Sequence, residues 1–154
     1  MMKKIYFLVL ALFIFVGCSS KSQQDGDNNN VVFGKIELSG AWARPGAKGQ
    51  NSAAYMTITN GTASTDTLIG ASSNVSKKAQ VHESYKTDSG ETAMRPAGNL
   101  VIDSGNKLQI TPGRYHIMLM NLKRDLAAGD SLDVTLNFQH VGKKTVRIPV
   151  KIQN

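Results

Sequence analysis

The chain has 154 residues, with 18 Lys and Arg against 11 Asp and Glu and a single cysteine. One thiol rules out an internal disulfide framework and any cluster of thiolate metal ligands. The positive surplus is spread along the sequence without a basic run or interleaved aromatics, so it does not form the footprint of a nucleic-acid surface, and no nucleic-acid partner is expected.

In chain order, the first stretch is "MMKKIYFLVLALFIFVGCSS", in which Lys3 and Lys4 precede twelve apolar residues from Ile5 to Val16. A spanning helix needs ~18 or more apolar residues, so this run reads as a secretory signal. Phe15, Val16, Gly17 and Cys18 resemble the lipobox of bacterial lipoproteins, with Phe15 standing where Leu, Val or Ile is usual. That resemblance implies a signal peptide over residues 1–17 and acylation of Cys18, which becomes the mature amino terminus. The protein would then be a membrane-anchored lipoprotein of the periplasm or cell envelope. Without Lys3 and Lys4 the side-chain charge falls from +7 to +5. Residues 18–30 continue as "SSKSQQDGDNNN" after the cysteine, too polar to bury surface, and are expected to form a flexible tether. Residues 31–154 remain for one folded domain, long enough for a core of its own.

Nine short segments of mostly alternating character follow: "KIELSG", "SAAYMTITNG", "DTLIGASS", "KAQVHESY", "NLVIDSG", "KLQITPG", "YHIMLMNL", "SLDVTLNFQ" and "KTVRIPVKI". Turn residues separate them, among them Gly61, Asp88-Ser89-Gly90, Asp103-Ser104-Gly105, Pro112-Gly113 and Gly142. No window carries a helical period. The expected fold is an all-β, antiparallel sandwich in a single domain, with a barrel as the other architecture such spacing allows. Ile36, Leu38, Ile58, Leu68, Leu119, Val134 and Ile148 are expected core residues. Met56 alternates with Ala54 and Ile58 and should be core as well, as should Trp42.

The segment "YHIMLMN" raises a different possibility. In a strand His116, Met118 and Met120 share one face, while Tyr115, Ile117, Leu119 and Asn121 share the other. Ile117 and Leu119 supply obvious core contacts, which turns the histidine and the two thioethers away from the core. On this strand alone a second reading stays open, in which both faces are buried, the methionines fill gaps and a backbone carbonyl satisfies His116. A second stretch, "VHESYKTDSGETAMRP", adds His82 at a strand end and Met94 on the returning arm of a hairpin turned at Asp88-Ser89-Gly90. Two histidines and several thioethers beside turns suit a soft metal ion. Thioether sulfur favours Cu(I), whereas zinc prefers thiolate, imidazole or carboxylate, and calcium and magnesium require oxygen.

On these residues the chain resembles the periplasmic copper chaperones of the PCu(A)C family. Their pattern is a His, a Met after ten or eleven residues, and a His-x-Met after twenty-one more. Here eleven residues separate His82 from Met94, twenty-one separate Met94 from His116, and His116-Ile117-Met118 completes the pattern. The flanks "AWARPGAKGQNSAAYMTITN", "LIGASS", "VHES", "MRP" and "PGRYHIMLMNL" match too, strongly from Trp42 to about Leu126 and more loosely beyond. The resemblance implies a cupredoxin-like β-sandwich holding one Cu(I) per chain through His82, Met94, His116 and Met118. It also implies delivery of copper to an acceptor in cytochrome oxidase assembly, either an oxidase subunit or a Sco-type assembly protein. Met120 falls outside the pattern and is expected to shield the metal or serve as an alternate ligand. His140, at a predicted turn, is expected in solvent.

Two other classes compete with a carrier. A structural or adhesive lipoprotein would share the sandwich without the metal. An enzyme is not expected, because the chain has no GxSxG, HExxH or CxxC motif, and four protein ligands leave no open coordination position.

Overall fold

The computed structural model describes residues 30–153. The signal peptide, Cys18 and nearly all of the tether lie outside the described residues. Among the described residues the strands are β1 (Val31–Phe33), β2 (Ile36–Ala43), β3 (Ser52–Asn60), β4 (Asp66–Ser73), β5 (Ser76–Lys86) and β6 (Thr92–Pro96). They continue with β7 (Leu100–Ile102), β8 (Lys107–Ile110), β9 (Tyr115–Leu122), β10 (Ser131–Phe138) and β11 (Lys143–Pro149). Two of them, β1 and β6, are absent from the nine segments, although the hairpin carrying Met94 anticipates β6. Both are short edge strands.

The strands form two sheets, one of seven in the order β1-β2-β3-β8-β9-β5-β6 and one of four in the order β11-β10-β4-β7. Pairings between strands are antiparallel apart from the contact of Ile110 in β8 with Tyr115 in β9, and an isolated parallel bridge joins Ala43 of β2 to Val150. The sheets pack face to face, and alternation decides which side chains meet between them. In β10 Leu132, Val134, Leu136 and Phe138 are buried while the residues between them are partly exposed. They join Leu68, Val146 and Ile148 from the small sheet and Ile36, Leu38, Ile58, Val81, Ile117 and Leu119 from the large one in a single core. Each such side chain contributes about 1.5–3 kcal/mol by leaving water. All seven expected core residues are buried, as is Met56 between Ala54 and Ile58. The core runs from Ile36 to Val150, so the sandwich closes within the described residues.

Two interruptions of the alternation shape the functional face. In β2 the register shifts between Ser39 and Trp42, where Gly40 has φ +60°. Such a bulge reverses which residues face inward: Ile36 and Leu38 enter the core before it, Ala41 and Ala43 after it. Trp42, expected in the core, therefore turns to the outer face, where it is buried in a separate small cluster with Ala53 and Tyr55. In β9 the non-glycine residue Asn121 has φ +54°, and its N–H bonds Asn51 Oδ1 at 3.0 Å. Asn121 is consequently exposed rather than sharing the face of Leu119, and Leu122 takes the next core place.

Candidate metal centre

Strand β9 lies inside the large sheet, paired with β5 on one side and with β3 and β8 on the other. His116 stands directly opposite His82, Met118 opposite Gln80, and Met120 opposite Lys78. The pair between the first two, Val81 and Ile117, is buried in the core, so His82, His116 and Met118 project from the outer face. In the hairpin β5–β6, Met94 is opposite Ser84, two residues beyond His82 and on the same face. The structure thus brings His82, Met94, His116 and Met118 to one face of three neighbouring strands. Of these strands only β6 is an edge; the other two are interior.

The two imidazoles have ring centroids 5.9 Å apart, inclined at 58°. His116 is buried although it points outward. Its Nδ1 lies 3.3 Å from the carbonyl oxygen of Arg114. A carbonyl can only accept, so Nδ1 carries the hydrogen, and in the neutral ring Nε2 is then the nitrogen with the free lone pair, the arrangement a metal-ligating histidine needs. Nε2 of His116 and Nε2 of His82 are both buried without a hydrogen-bond partner. An unsatisfied buried polar atom costs about 1–3 kcal/mol, and a metal between the rings would satisfy both at once. The His82 imidazole titrates below its ordinary range because burial disfavours its charge, reinforced by His116 and then Lys78. Both effects hold it in the neutral, ligating form.

A pocket beside His116 is lined by Met118, Met94, Ser84, Tyr55 and Arg44, among others. Met94 is 55% exposed at its mouth, whereas Met118 is partly buried next to Ala53 of β3. His82 does not line this pocket but stands beside His116. Met120, one pair farther along β9, is outside it as well. His140 is exposed, as expected from its turn. Among the described residues no three His, Cys, Asp or Glu side chains gather where they could hold a metal. Met94 and Met118 are the sulfur-bearing side chains that line the pocket with His116.

Sequence reasoning missed the aromatic side of this site. The Tyr55 ring lies 4.6 Å from that of Trp42, and the Arg44 guanidinium sits 5.3 Å above Tyr55. Alternation in "AAYMTITN" does put Tyr55 opposite in sense to Met56. Its place beside Met118 depends on the pairing of β3 with β9, which links residues far apart in the chain.

The family model described as "Putative lipoprotein LpqE-like" matches residues 36–150. The chain belongs to the LpqE-like family. This LpqE-like chain is 34% identical over 116 residues to "Putative lipoprotein Lxx21020" of Leifsonia xyli subsp. xyli, covering 75% of the chain and 69% of that protein. Its fold is similar to the copper-bound PCuAC domain from PmoF2, with a TM-score of 0.65 and 21% identity over 80% of the chain and 98% of that domain. It is also similar to the solution structure of CuI-DR1885 from Deinococcus radiodurans, with a TM-score of 0.54 and 28% identity over 73% of the chain and 76% of that one. The resemblance to the PCu(A)C family read from the sequence is therefore borne out, and the sandwich of this LpqE-like protein is the fold of those domains.

Proposed function

We propose that the protein is an extracytoplasmic copper chaperone that holds one Cu(I) through His82, Met94, His116 and Met118. The observation that carries this reading is the pair of facing imidazoles whose buried Nε2 atoms have no partner, with thioethers as their neighbours on the same face. Two neutral nitrogens and two soft sulfurs match Cu(I) and give little to Zn(II). The likeness to domains described as copper-bound and Cu(I)-bound supports the same cargo. No thiolate accompanies these donors, which argues for carriage rather than blue-copper electron transfer.

The arrangement also suggests how the ion leaves. His116 is buried on an interior strand, while Met94 is exposed on an edge strand. Met94 is then the donor an incoming ligand replaces first, and copper passes by stepwise exchange to an acceptor in cytochrome oxidase assembly. A lipid on Cys18 would keep the carrier at the membrane surface, and the lipoprotein names of the family and its relative support such an anchor.

The test is a competition titration with a Cu(I) chelator. Met118→Leu conserves size, so it should leave the fold within ~1.5 kcal/mol of wild type while Cu(I) affinity falls well beyond error. His116→Ala should lower affinity further. Wild-type affinity in Met118→Leu would mean that the methionines are packing residues.

A further inference from the structure

The outer face that holds the proposed ligands also carries four exposed cations. Arg44 lines the pocket with Met94, His116 and Met118. Lys78 faces outward from β5 opposite Met120. Lys86 shares the side of His82 and Ser84, and its Nζ donates to Thr92 Oγ1 at 2.8 Å, at the pocket wall. Arg114 lies opposite Ser84, whose N–H donates to its carbonyl at 3.0 Å. Among the described residues none of these four forms an ion pair; the pairs are Arg95–Glu83, Arg124–Asp130 and Arg147–Asp133. Glu83 is the one carboxylate on β3, β5, β6 or β9 apart from those of the turns, and it bonds Arg95 on the side opposite Met94. Asp88 and Glu91 lie beyond Lys86, in the turn at the tip of the hairpin.

This ring has no use in holding a cation. All four proposed donors are neutral, so nothing within the site offsets the surrounding positive charge, and loading with Cu(I) adds to it. Like charges weaken cation binding modestly at an exposed surface. What such a ring favours is an anionic partner, through faster encounter and fixed orientation. The recessed position of His116 adds that the partner must reach into a pocket rather than lie flat against it.

Resting on the copper reading above, we infer that this face docks an acceptor protein whose own copper donors are surrounded by carboxylates, which pair with Arg44, Lys78, Lys86 and Arg114. An anionic lipid surface would meet the same charges, but it would cover Met94 and leave the cargo no acceptor.

The test uses a chain beginning at Asn30, since the core closes within the described residues. Two short synthetic peptides serve as probes, identical except for Asp or Lys flanks and free of copper donors. Binding to the metal-free protein is read from Trp42, the one tryptophan of the chain, which stands beside the Tyr55–Arg44 pair. The Asp-flanked peptide should bind about tenfold more tightly at low salt, as a few exposed ion pairs allow, and the preference should fade as salt rises. Arg44→Glu, Lys78→Glu and Arg114→Glu together should reverse the preference, with near-ultraviolet circular dichroism checking that the sandwich is intact. Equal binding of the two peptides, or a preference untouched by the triple substitution, overturns the inference. So does binding to phosphatidylglycerol vesicles that is lost in the triple variant without any peptide preference, which would assign the face to the membrane. Chelator competition on the same protein reads copper affinity separately, so failure of the copper reading and failure of the docking surface give different results.

Discussion

At the scale of single residues, the site is built on which nitrogen of each histidine is free. The Arg114 carbonyl fixes the tautomer of His116, and burial holds His82 below its usual titration range. A pH dependence follows. The unfolded chain takes up a proton on His82 as pH falls through about 6.5, whereas the folded chain resists it until lower pH, so the unfolded state binds more protons in that window. Stability contributed above the unfolded pKa is therefore lost as pH drops through the folded one. The metal-free domain should show a falling melting temperature below about pH 6.5, and His82→Gln should flatten that part of the profile. A profile identical in the variant would remove His82 from the account. The same scale separates the two outward methionines of β9. Met118 lines the pocket with His116, while Met120 lies beyond it against Lys78. Met120→Leu should retain wild-type Cu(I) affinity in the titration that weakens Met118→Leu, and an equal loss in both would make Met120 a ligand.

At the scale of elements, the outer and inner faces are decided by alternation, and the strands are locked together by a few buried polar groups. Asp66, at the start of β4, is buried, and its carboxylate accepts from the N–H of Thr67 at 2.7 Å, His140 at 3.0 Å and Val141 at 3.0 Å. Burial alone would raise its pKa, but the three N–H bonds outweigh it and hold the carboxyl below its ordinary value. This anchors the β10–β11 turn to β4, so Asp66→Asn should destabilise the fold by about 1–3 kcal/mol, measured by urea denaturation. The wild-type contribution should be full above about pH 4 and disappear as pH falls through the lower folded pKa. An Asp66→Asn protein as stable as wild type at neutral pH would show that the turn does not need the anion. Nothing in "ASTDTLIG" marks Asp66 as buried, because two of its three partners come from more than seventy residues away. The strands themselves were legible, since β10 alternates cleanly and the gaps carry turn residues. So was the shared face of His116 and Met118, which depends only on period two. The outward turn of Trp42 was not, because a single glycine with positive φ reverses the alternation and neighbouring residues do not announce it. The aromatic wall at Tyr55 stayed hidden for a related reason: it follows from register between distant strands.

At the scale of the whole molecule, the proposed site and the core occupy opposite faces of one sheet. The residues behind the histidines, Val81 and Ile117, pack into a core shared with the small sheet, so no ligand has to fill a core position for the sandwich to close. The metal-free domain should accordingly be folded, with a β-type circular dichroism spectrum. Copper would then act by mass action on a native state that already exists. At a free Cu(I) level about a hundredfold above Kd the added stability is about 2.7 kcal/mol, which for a domain of this size corresponds to a rise in Tm of about 10 °C. Zn(II) at the same level should shift Tm much less, because only the two imidazoles suit it. A Met118→Leu protein should start from nearly the same metal-free Tm and gain less from copper, which separates loss of a ligand from loss of the fold. A spectrum that becomes β-type only when copper is added would show that the ligands organise the sheet rather than decorate it. A Tm indifferent to copper would leave the facing imidazoles without the cargo assigned to them.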